Sequence, residues 1–381
     1  MMKRLLFTLV PALLVAVAFE GGAFGALEVL RAKHYVYEVP RDTQPLDYAT
    51  RMHVGDPVLG WPLKQGRDAP GGAYRDESGA RWLPAFPDPA TPACASLYGD
   101  SFLESIEQDE QHAAANLLAR ALGCRVTNFG QAGYGTDQSL MRYQRNAADK
   151  ASTVVLGRML ENMRRNINRN RDALSGGRDY NREPRFILGP DGSLVFVPMP
   201  ALNEEECRRS VGLAQPLLRL EYEKFQAGGE LLGPMAGSTF TLALAKNLGN
   251  YGLRARIRGY HSNFAVLYEP GHPTRALELT FAILKAFHAE AARRTQRGVV
   301  LLLPTLDVLT YHVKTSIWVN QPLLDLLQRE AIPCMDFGPY FASRRNRDAA
   351  AYVAASGHYI AAAYEMLASM MAEQHPMTGK Q

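Results

Sequence analysis

The sequence predicts an α/β protein whose central sheet is mainly parallel and covered by helices on both faces. Short apolar runs of strand length recur through the second and larger part of the chain, several of them closed by Gly or Pro. Segments with helical spacing of apolar residues separate these runs, and this alternation is typical of βαβ units. No repeat at a fixed period is visible, which excludes solenoids and propellers.

Each element of this sheet has its own signal. Five runs are expected to form strands, and they are residues 95–98, 125–129, 153–157, 299–303 and 332–337. Three helical patterns are expected between and after them, at residues 103–121, 277–294 and 359–372. Gly123 ends the first helix, and the cations Arg293 and Arg294 suit the carbonyl end of the second. Ligands of such sheets bind at the carboxyl ends of the strands, near the point where the strand order reverses.

Two segments lie outside this pattern. Residues 31–92, rich in Pro, Gly, Asp and Arg, are expected to form an irregular lead-in packed on the main domain at 93–375. Residues 170–272 exceed what the sheet needs and predict an inserted cap. Within this insert we expect a hairpin at 185–197, a charged helix at 217–225 and a Gly-rich piece at 228–237; residues 376–381 form a tail.

The first 30 residues have the pattern of an export signal. Lys3 and Arg4 precede an apolar run at 5–19, and residues 21–30 remain mostly apolar. Ala23-Phe24-Gly25 resembles a cleavage site only in part, so a signal peptide and an uncleaved signal anchor both remain open. Either predicts an exported protein, periplasmic or anchored in the inner, cytoplasmic membrane and facing the periplasm. The alternative is a buried N-terminal core helix.

Composition excludes several classes of protein. Lys and Arg total 42 against 38 Asp and Glu, and 21% of residues are charged, so whole-chain disorder is excluded and no nucleic acid is expected as a partner. The nine His show no HExxH pattern and the four Cys no CxxC spacing, so neither a metal nor another cofactor is expected. Export would permit a disulfide, but Cys94 and Cys124 are expected to be buried free thiols.

Four blocks carry residues with chemical potential. Ser101 follows the first strand and begins a helix, where an N–H and the helix dipole favour an anion, although an Asp-Ser pair there is often only an N-cap. A Gly-rich turn containing Gly133 follows the second strand, and Asn162, a possible oxyanion donor, follows the third. His358, before the last helix, is placed to act as a general base, although a lone His is often structural.

Together the four blocks resemble the SGNH hydrolase family, also called GDSL esterases, and especially bacterial exported or membrane-anchored members with a large insert. The resemblance covers residues 93–375 and implies a three-layer, flavodoxin-like fold with a five-stranded sheet. It implies that Ser101 is the nucleophile and His358 its base. It also implies that the Ser101 N–H, Gly133 and Asn162 form the oxyanion hole.

Two positions depart from the family pattern. Met163 stands where the family usually has Asp, and the carboxylate expected two or three residues before His358 is replaced by Ala355 and Ser356. A Ser–His dyad, slow turnover, an acid from elsewhere and loss of catalysis all remain open. Asp307 and Asp336 are candidate substitutes, with turn or cap roles as the alternative.

The expected function is an exported serine esterase that removes O-acyl groups, such as O-acetyl, from an envelope or extracellular carbohydrate. An O-acyltransferase in exopolysaccharide modification and a degenerate glycan-binding protein are the alternatives. An arginine cluster beside Asn162 has two interpretations, a solvated helix face or a surface that attracts an anionic glycan or phosphate. Its members are Arg158, Arg164, Arg165, Arg169 and Arg171.

Overall fold

A computed structural model gives the fold of the chain. It describes residues 2–32, 56, 58–60, 66–67, 74–168, 184–198, 239–248, 264–344 and 348–374. The helix expected at 217–225, the Gly-rich piece at 228–237, and Arg169 and Arg171 lie outside the described residues.

The described strands form one large sheet and two small hairpins. In chain order they are β1 (Gly66–Arg67), β2 (Tyr74–Arg75), β3 (Ala93–Tyr98), β4 (Arg125–Asn128), β5 (Thr153–Met159), β6 (Arg185–Leu188), β7 (Leu194–Val197), β8 (Arg297–Leu303) and β9 (Cys334–Asp336). The antiparallel pair β6–β7 is the hairpin predicted within the insert.

The helices cover this sheet, apart from the N-terminal helix and one helix of the insert. In chain order they are α1 (Met2–Ala32), α2 (Ser101–Glu104), α3 (Ala114–Leu122), α4 (Thr136–Arg145), α5 (Asn162–Asn166), α6 (Phe240–Leu248), α7 (Ala276–Arg293), α8 (Leu306–Thr315), α9 (Gln321–Arg329), α10 (Phe337–Arg344) and α11 (Ala361–Gln374). Short 3-10 helices occupy Ala265–Tyr268 and Ala349–Tyr352.

The five strands of the large sheet lie in the order β4-β3-β5-β8-β9, and every neighbouring pair is parallel. The predicted α/β fold with a central five-stranded parallel sheet is confirmed. This is the flavodoxin-like order, in which the chain leaves β3 toward one edge and then returns to its other side. The carboxyl end of β3 is therefore where a ligand site is expected.

Apolar side chains cover both faces of the sheet, because successive residues of a strand point to opposite sides. On β5, Val154 and Leu156 pack into the core under α4, α7 and α9. Val155, between them, packs into the core under α3, α10 and α11. Both cores consist of buried apolar side chains, with Ala and Met prominent in the second, so the sheet is the middle layer of three.

Two expectations about β3 and the segment that follows it were wrong. The helix predicted at 103–121 is broken into α2 and α3, because Ser105 ends α2 in the left-handed region at φ 59°. Its hydroxyl then accepts the Ala114 N–H at 3.0 Å, at the start of α3. Cys94 and Cys124, expected to be free thiols, form a disulfide that ties β3 to the start of β4, with Cα atoms 6.0 Å apart.

The N-terminal helix α1 is 31 residues long and most of its apolar side chains are exposed. Its segment Val10–Leu30 is long and apolar enough to cross a membrane. A signal sequence and a membrane anchor share this property. The low burial of this segment, 11%, does not fit the buried core helix that was the alternative.

Candidate active site

Ser101 lies at the carboxyl end of β3, at the point where the strand order reverses. It is the first residue of α2, and Asp100 is the N-cap, whose carboxylate accepts the Phe102 N–H at 2.9 Å. This cap fixes the sharp strand-to-helix turn and leaves the Ser101 side chain at the end of the sheet. Ser101 is 6% exposed, which is enough for its hydroxyl to reach the adjoining cavity.

The Asp100 carboxylate also joins the first and third blocks of the predicted site. Its second oxygen accepts the Met159 N–H at 3.1 Å and the Asn162 side-chain amide at 2.6 Å. Asp100 is fully buried, so these charge-assisted bonds are shielded from water. Since one amide proton of Asn162 is held by Asp100, the orientation of that amide beside the Ser101 turn is fixed.

His358 lies in a tight turn before α11. The Ala354 N–H donates to the His358 carbonyl at 2.8 Å, and Gly357 adopts a φ of +92° that strongly favours glycine. The next residue, Tyr359, is buried and donates its hydroxyl to the Pro304 carbonyl at 2.5 Å. This buried tyrosine anchors the turn at the carboxyl end of β8.

The turn brings His358 onto Ser101. Its Nε2 lies 2.9 Å from the Ser101 Oγ, although the two residues are 257 positions apart. Its Nδ1 lies 3.1 Å from a carboxylate oxygen of Glu107 and 3.4 Å from the Ser356 hydroxyl. An ionised carboxylate only accepts, so the proton belongs on Nδ1 and leaves Nε2 free to accept from the serine. The arrangement is a Ser–His–Glu line in which each group orients the next.

Glu107 was not among the residues predicted from the sequence. It lies in the segment 105–113 that interrupts the predicted helix, six residues after Ser101. The signal that could have revealed it is the density of acids in this segment, since Glu107, Asp109 and Glu110 follow one another closely after the serine. The predicted helix argued against Glu107, because two residues six positions apart, such as Ser101 and Glu107, do not share a helix face.

The two aspartates named as substitutes make other contacts. Asp307 accepts the Thr305 hydroxyl at the start of α8 and lines the cavity beside Ser101 without a hydrogen bond to His358. Asp336 accepts the Asn320 amide at 2.7 Å and the Gly338 N–H at 2.9 Å. Burial raises the pKa of Asp336. The carboxylate next to His358 Nδ1 is that of Glu107, not that of either aspartate.

Gly133 lies in the turn after β4, where its φ of +85° lets the chain fold back. The turn is tied to both sides of the Ser101 segment. The Gln131 N–H donates to the Gly99 carbonyl at 2.9 Å, and the Ala132 N–H donates to the Glu104 carboxylate. The structure therefore holds the Gly133 turn next to the Ser101 turn.

Two buried arginines from the lead-in support these loops from behind. The Arg81 guanidinium donates to the carbonyls of Glu104 and Ser105 at 2.6 and 2.8 Å and to that of Gln108 at 2.5 Å. Arg75 pairs with the Glu104 carboxylate. Because Glu107 lies between Ser105 and Gln108, Arg81 fixes the backbone that carries it.

An open cavity of about 640 Å³ surrounds the Ser101 and His358 side chains. Besides Ser101, Ser356 and His358, its polar lining comes from the segments that follow β5 and β8, namely Glu161, Arg165, Thr305, Asp307 and Thr310. A second cavity of about 710 Å³, lined by Tyr74, Trp82 and Phe86 among others, lies at the amino ends of β3, β4 and β5. The smaller one is the candidate site because it alone contains the paired serine and imidazole.

The three described members of the arginine cluster do not form the solvated helix face that was one interpretation. Arg158 is fully buried and donates to the Tyr268 hydroxyl at 3.2 Å. Arg164 and Arg165 both face the Glu161 carboxylate, at 3.6 and 3.5 Å. Only Arg165 of the three lines the cavity, so among the described residues the cation in its lining is one guanidinium, which faces the Glu161 carboxylate.

The described residues hold no group of three His, Cys, Asp or Glu side chains placed to bind a metal ion. Of their cysteines only Cys334 is free, and burial raises the pKa of its thiol to about 12, so it is not a nucleophile at neutral pH. Cys334 is therefore not a candidate nucleophile, and Ser101 with His358 remains the candidate pair in the described chain.

No protein-family model matches the chain, and no curated protein sequence matches it. Among solved structures, it is similar to a proposed lipolytic protein of the G-D-S-L family from Desulfitobacterium hafniense DCB-2, with 10% identity over 73% of this chain and 97% of that chain and a TM-score of 0.32. A second solved structure shows 12% identity over 74% of this chain and 95% of that chain, with a TM-score of 0.37.

Proposed function

We propose that the protein is an exported, membrane-tethered serine esterase of the SGNH type that removes O-acyl groups from an envelope or extracellular carbohydrate. The observation that carries this proposal is the line from Ser101 Oγ to His358 Nε2, 2.9 Å, and from His358 Nδ1 to Glu107, 3.1 Å. A hydroxyl next to an imidazole whose far nitrogen faces a carboxylate is the constellation that activates a serine.

In the first half of the reaction, the Ser101 Oγ attacks the ester carbonyl carbon while His358 Nε2 takes the hydroxyl proton. The Glu107 carboxylate stabilises the imidazolium that forms. The oxyanion accepts hydrogen bonds from the Ser101 N–H, the Gly133 N–H and the free amide proton of Asn162. The tetrahedral intermediate then expels the sugar alcohol, which receives the proton from His358, and an acyl-Ser101 ester remains.

In the second half, a water molecule attacks the acyl-Ser101 ester while His358 again takes a proton. Collapse of this intermediate releases the carboxylic acid and returns the proton to Ser101. The open cavity of about 640 Å³ supports a substrate larger than a simple short-chain ester, because it leaves room for a sugar beside the acyl group.

The degenerate glycan-binding alternative was motivated by the missing acid before His358. The contact between Glu107 and His358 removes that motive and supports turnover. Export and tethering are supported by the apolar helix α1 and by the Cys94–Cys124 disulfide, since disulfides persist in oxidising compartments.

The test is labelling of the purified full-length protein with a fluorophosphonate, together with turnover of p-nitrophenyl acetate and of an acetylated polysaccharide. We expect wild-type protein to label and to release acetate, and Ser101→Ala to do neither. Ser369→Ala, an exposed serine on α11, is the matched control and should behave as wild type. Equal labelling of the Ser101→Ala variant, or no turnover of any ester by wild type, would overturn the proposal.

A further inference from the structure

The lead-in contains a short hairpin, residues 74–82, whose two faces carry different side chains. The Trp82 N–H donates to the Tyr74 carbonyl at 2.8 Å, and Arg75 and Arg81 form an antiparallel bridge. Tyr74 and Trp82 are therefore directly opposite each other. Since successive residues of a strand point to opposite sides, these two aromatic residues share one face and the two arginines share the other.

The arginine face anchors this hairpin to the domain. Arg75 is 1% exposed and Arg81 4%, and both donate to the loops behind Ser101 as described above. The turn of the hairpin is also fixed, because one Asp76 oxygen accepts the N–H groups of Ser78 and Ala80 at 2.9 and 3.1 Å. The opposite face of the hairpin is therefore presented on a rigid support.

That opposite face is open to solvent. Tyr74 is 43% exposed and Trp82 is 37% exposed. A single exposed apolar side chain is ordinary, but neighbouring exposed aromatic rings form a patch of the kind that marks a recognition surface. We call these two residues the aromatic pair.

The aromatic pair lines the cavity of about 710 Å³ at the amino ends of the strands. This volume lies in the range of ligand-binding cavities, about 300–1,000 Å³. Phe86 and three prolines, at positions 87, 89 and 92, add apolar lining, and Val126 of the edge strand β4 contributes as well. The cavity therefore combines flat apolar surfaces with the end of the sheet.

Acidic and basic side chains line the same cavity in equal number. Asp76 and Arg125 face each other at 4.0 Å, and Lys150 is exposed. Because the formal charges cancel, the cavity does not favour a polyanion such as nucleic acid or an acidic glycan. Among the described lining residues the charged ones are Asp76, Glu77, Asp149, Arg81, Arg125 and Lys150.

We propose that this cavity binds a neutral carbohydrate chain, with the aromatic pair as the surface on which sugar rings stack. One face of a pyranose consists of C–H groups, which pack against the negative face of an aromatic ring. Sugar hydroxyls both donate and accept, so they match a lining that contains carboxylates and cations. A lipid chain would instead remove water from these charged groups at a high cost.

This site is separate from the candidate active site. The strand β3 is six residues long and places its two ends about 17 Å apart, with Ser101 at the carboxyl end. The two cavities share none of their described lining residues. The inference therefore goes beyond the esterase reaction and does not depend on it.

The test measures binding of oligosaccharides that carry no ester. Full-length protein is kept in octaethylene glycol dodecyl ether, a detergent without a sugar headgroup, and is titrated by microscale thermophoresis. The neutral probes are hexasaccharides of glucose, mannose, galactose and N-acetylglucosamine. Hexagalacturonate is the acidic probe and decaproline the peptide probe, since exposed aromatic residues also bind proline-rich segments.

We expect at least one neutral hexasaccharide to bind, and Trp82→Ala and Tyr74→Ala to weaken its binding by about tenfold or more. Trp82→Phe keeps an aromatic ring and should stay within about threefold of wild type. Phe196→Ala is the matched control, because Phe196 is 38% exposed and lies in the β6–β7 hairpin, outside this cavity. Circular dichroism verifies that each variant is folded.

Three results would overturn the inference. These are no binding of any neutral probe by wild type, tighter binding of hexagalacturonate or decaproline than of every neutral probe, and equal affinity of Trp82→Ala and wild type. Turnover of p-nitrophenyl acetate is measured on the same variants and should be unchanged by Trp82→Ala. Because the sugar probes carry no ester, a protein without esterase activity would still give a result in the binding assay.

Discussion

Two carboxylates flank the serine of the candidate site, and their surroundings differ. Asp100 is fully buried and accepts three hydrogen bonds, two from backbone N–H groups and one from Asn162. The Glu107 side chain is 33% exposed, and its hydrogen bond is to His358. This difference indicates that the two carboxylates have different roles. Asp100 builds the turn that holds Ser101, and Glu107 acts on the imidazole.

The largest effect is expected from Asp100→Ala, because three buried donors would lose their acceptor. Unsatisfied buried donors cost about 1–3 kcal/mol each with partial compensation, so we expect the free energy of unfolding to fall by about 3 kcal/mol. Turnover should fall by more than about 10³-fold, since Ser101 and Asn162 lose their positions. Urea unfolding and ester turnover measure the two effects, and an unchanged unfolding curve would remove the structural role from Asp100.

Removal of the disulfide with Cys94→Ser and Cys124→Ser should change stability alone. The bond closes a loop of about 30 residues at the amino end of the sheet, away from Ser101, and such loops contribute about 3 kcal/mol. We expect lower resistance to urea and an unchanged kcat for the folded variant. A fall in kcat would show that a change at the amino end of β3 alters the position of Ser101 at the carboxyl end.

Glu107→Gln tests the other carboxylate. Loss of a buried triad acid costs about 10⁴-fold in kcat, and because Glu107 is partly solvated we expect a loss of about 10²-fold. Stability should stay within about 0.5 kcal/mol of wild type. The matched control Glu110→Gln, in the same segment, should keep full activity. If Glu107→Gln keeps full activity while Ser101→Ala is inactive, the site is a Ser–His dyad.

The change expected only in the pH dependence of stability concerns Asp137, a buried acid at the start of α4. Burial raises the pKa of Asp137 to about 7 from an ordinary value near 3.8. The folded state therefore binds this proton more tightly than the unfolded state, and its contribution to stability is lost as pH rises from about 4 to about 7. Asp137→Asn should remove this loss, which urea unfolding at several pH values would show as a flatter profile than that of wild type.

The fold was predictable because strand-forming runs and their glycine or proline ends follow local rules. The five strands of the sheet lie where the apolar runs predicted them, within a few residues. The predicted helix at 103–121 failed, because Ser105 ends α2 and the polar residues 107–112 form a turn before α3 begins. The β6–β7 hairpin of the insert could be predicted from its turn at Gly189–Gly192.

The candidate site was only half predictable. Ser101 and His358 each follow an element boundary, and motif spacing suggested both. Glu107 could not be found by spacing, because its link to His358 bridges 251 positions and depends on a loop whose shape Arg81 fixes. The disulfide between Cys94 and Cys124 could not be predicted from the sequence either, since it depends on β3 and β4 being neighbours in the sheet.

The order of these residues along the chain has a consequence for biosynthesis. Ser101 and its acid emerge early from the ribosome, whereas His358 comes with the last turn before the final helix. Until that turn docks, the serine hydroxyl has no base, so we expect a nascent or truncated chain not to hydrolyse esters. If His358 acts as proposed, the protein gains its activity only when the turn that carries this residue has docked beside Ser101.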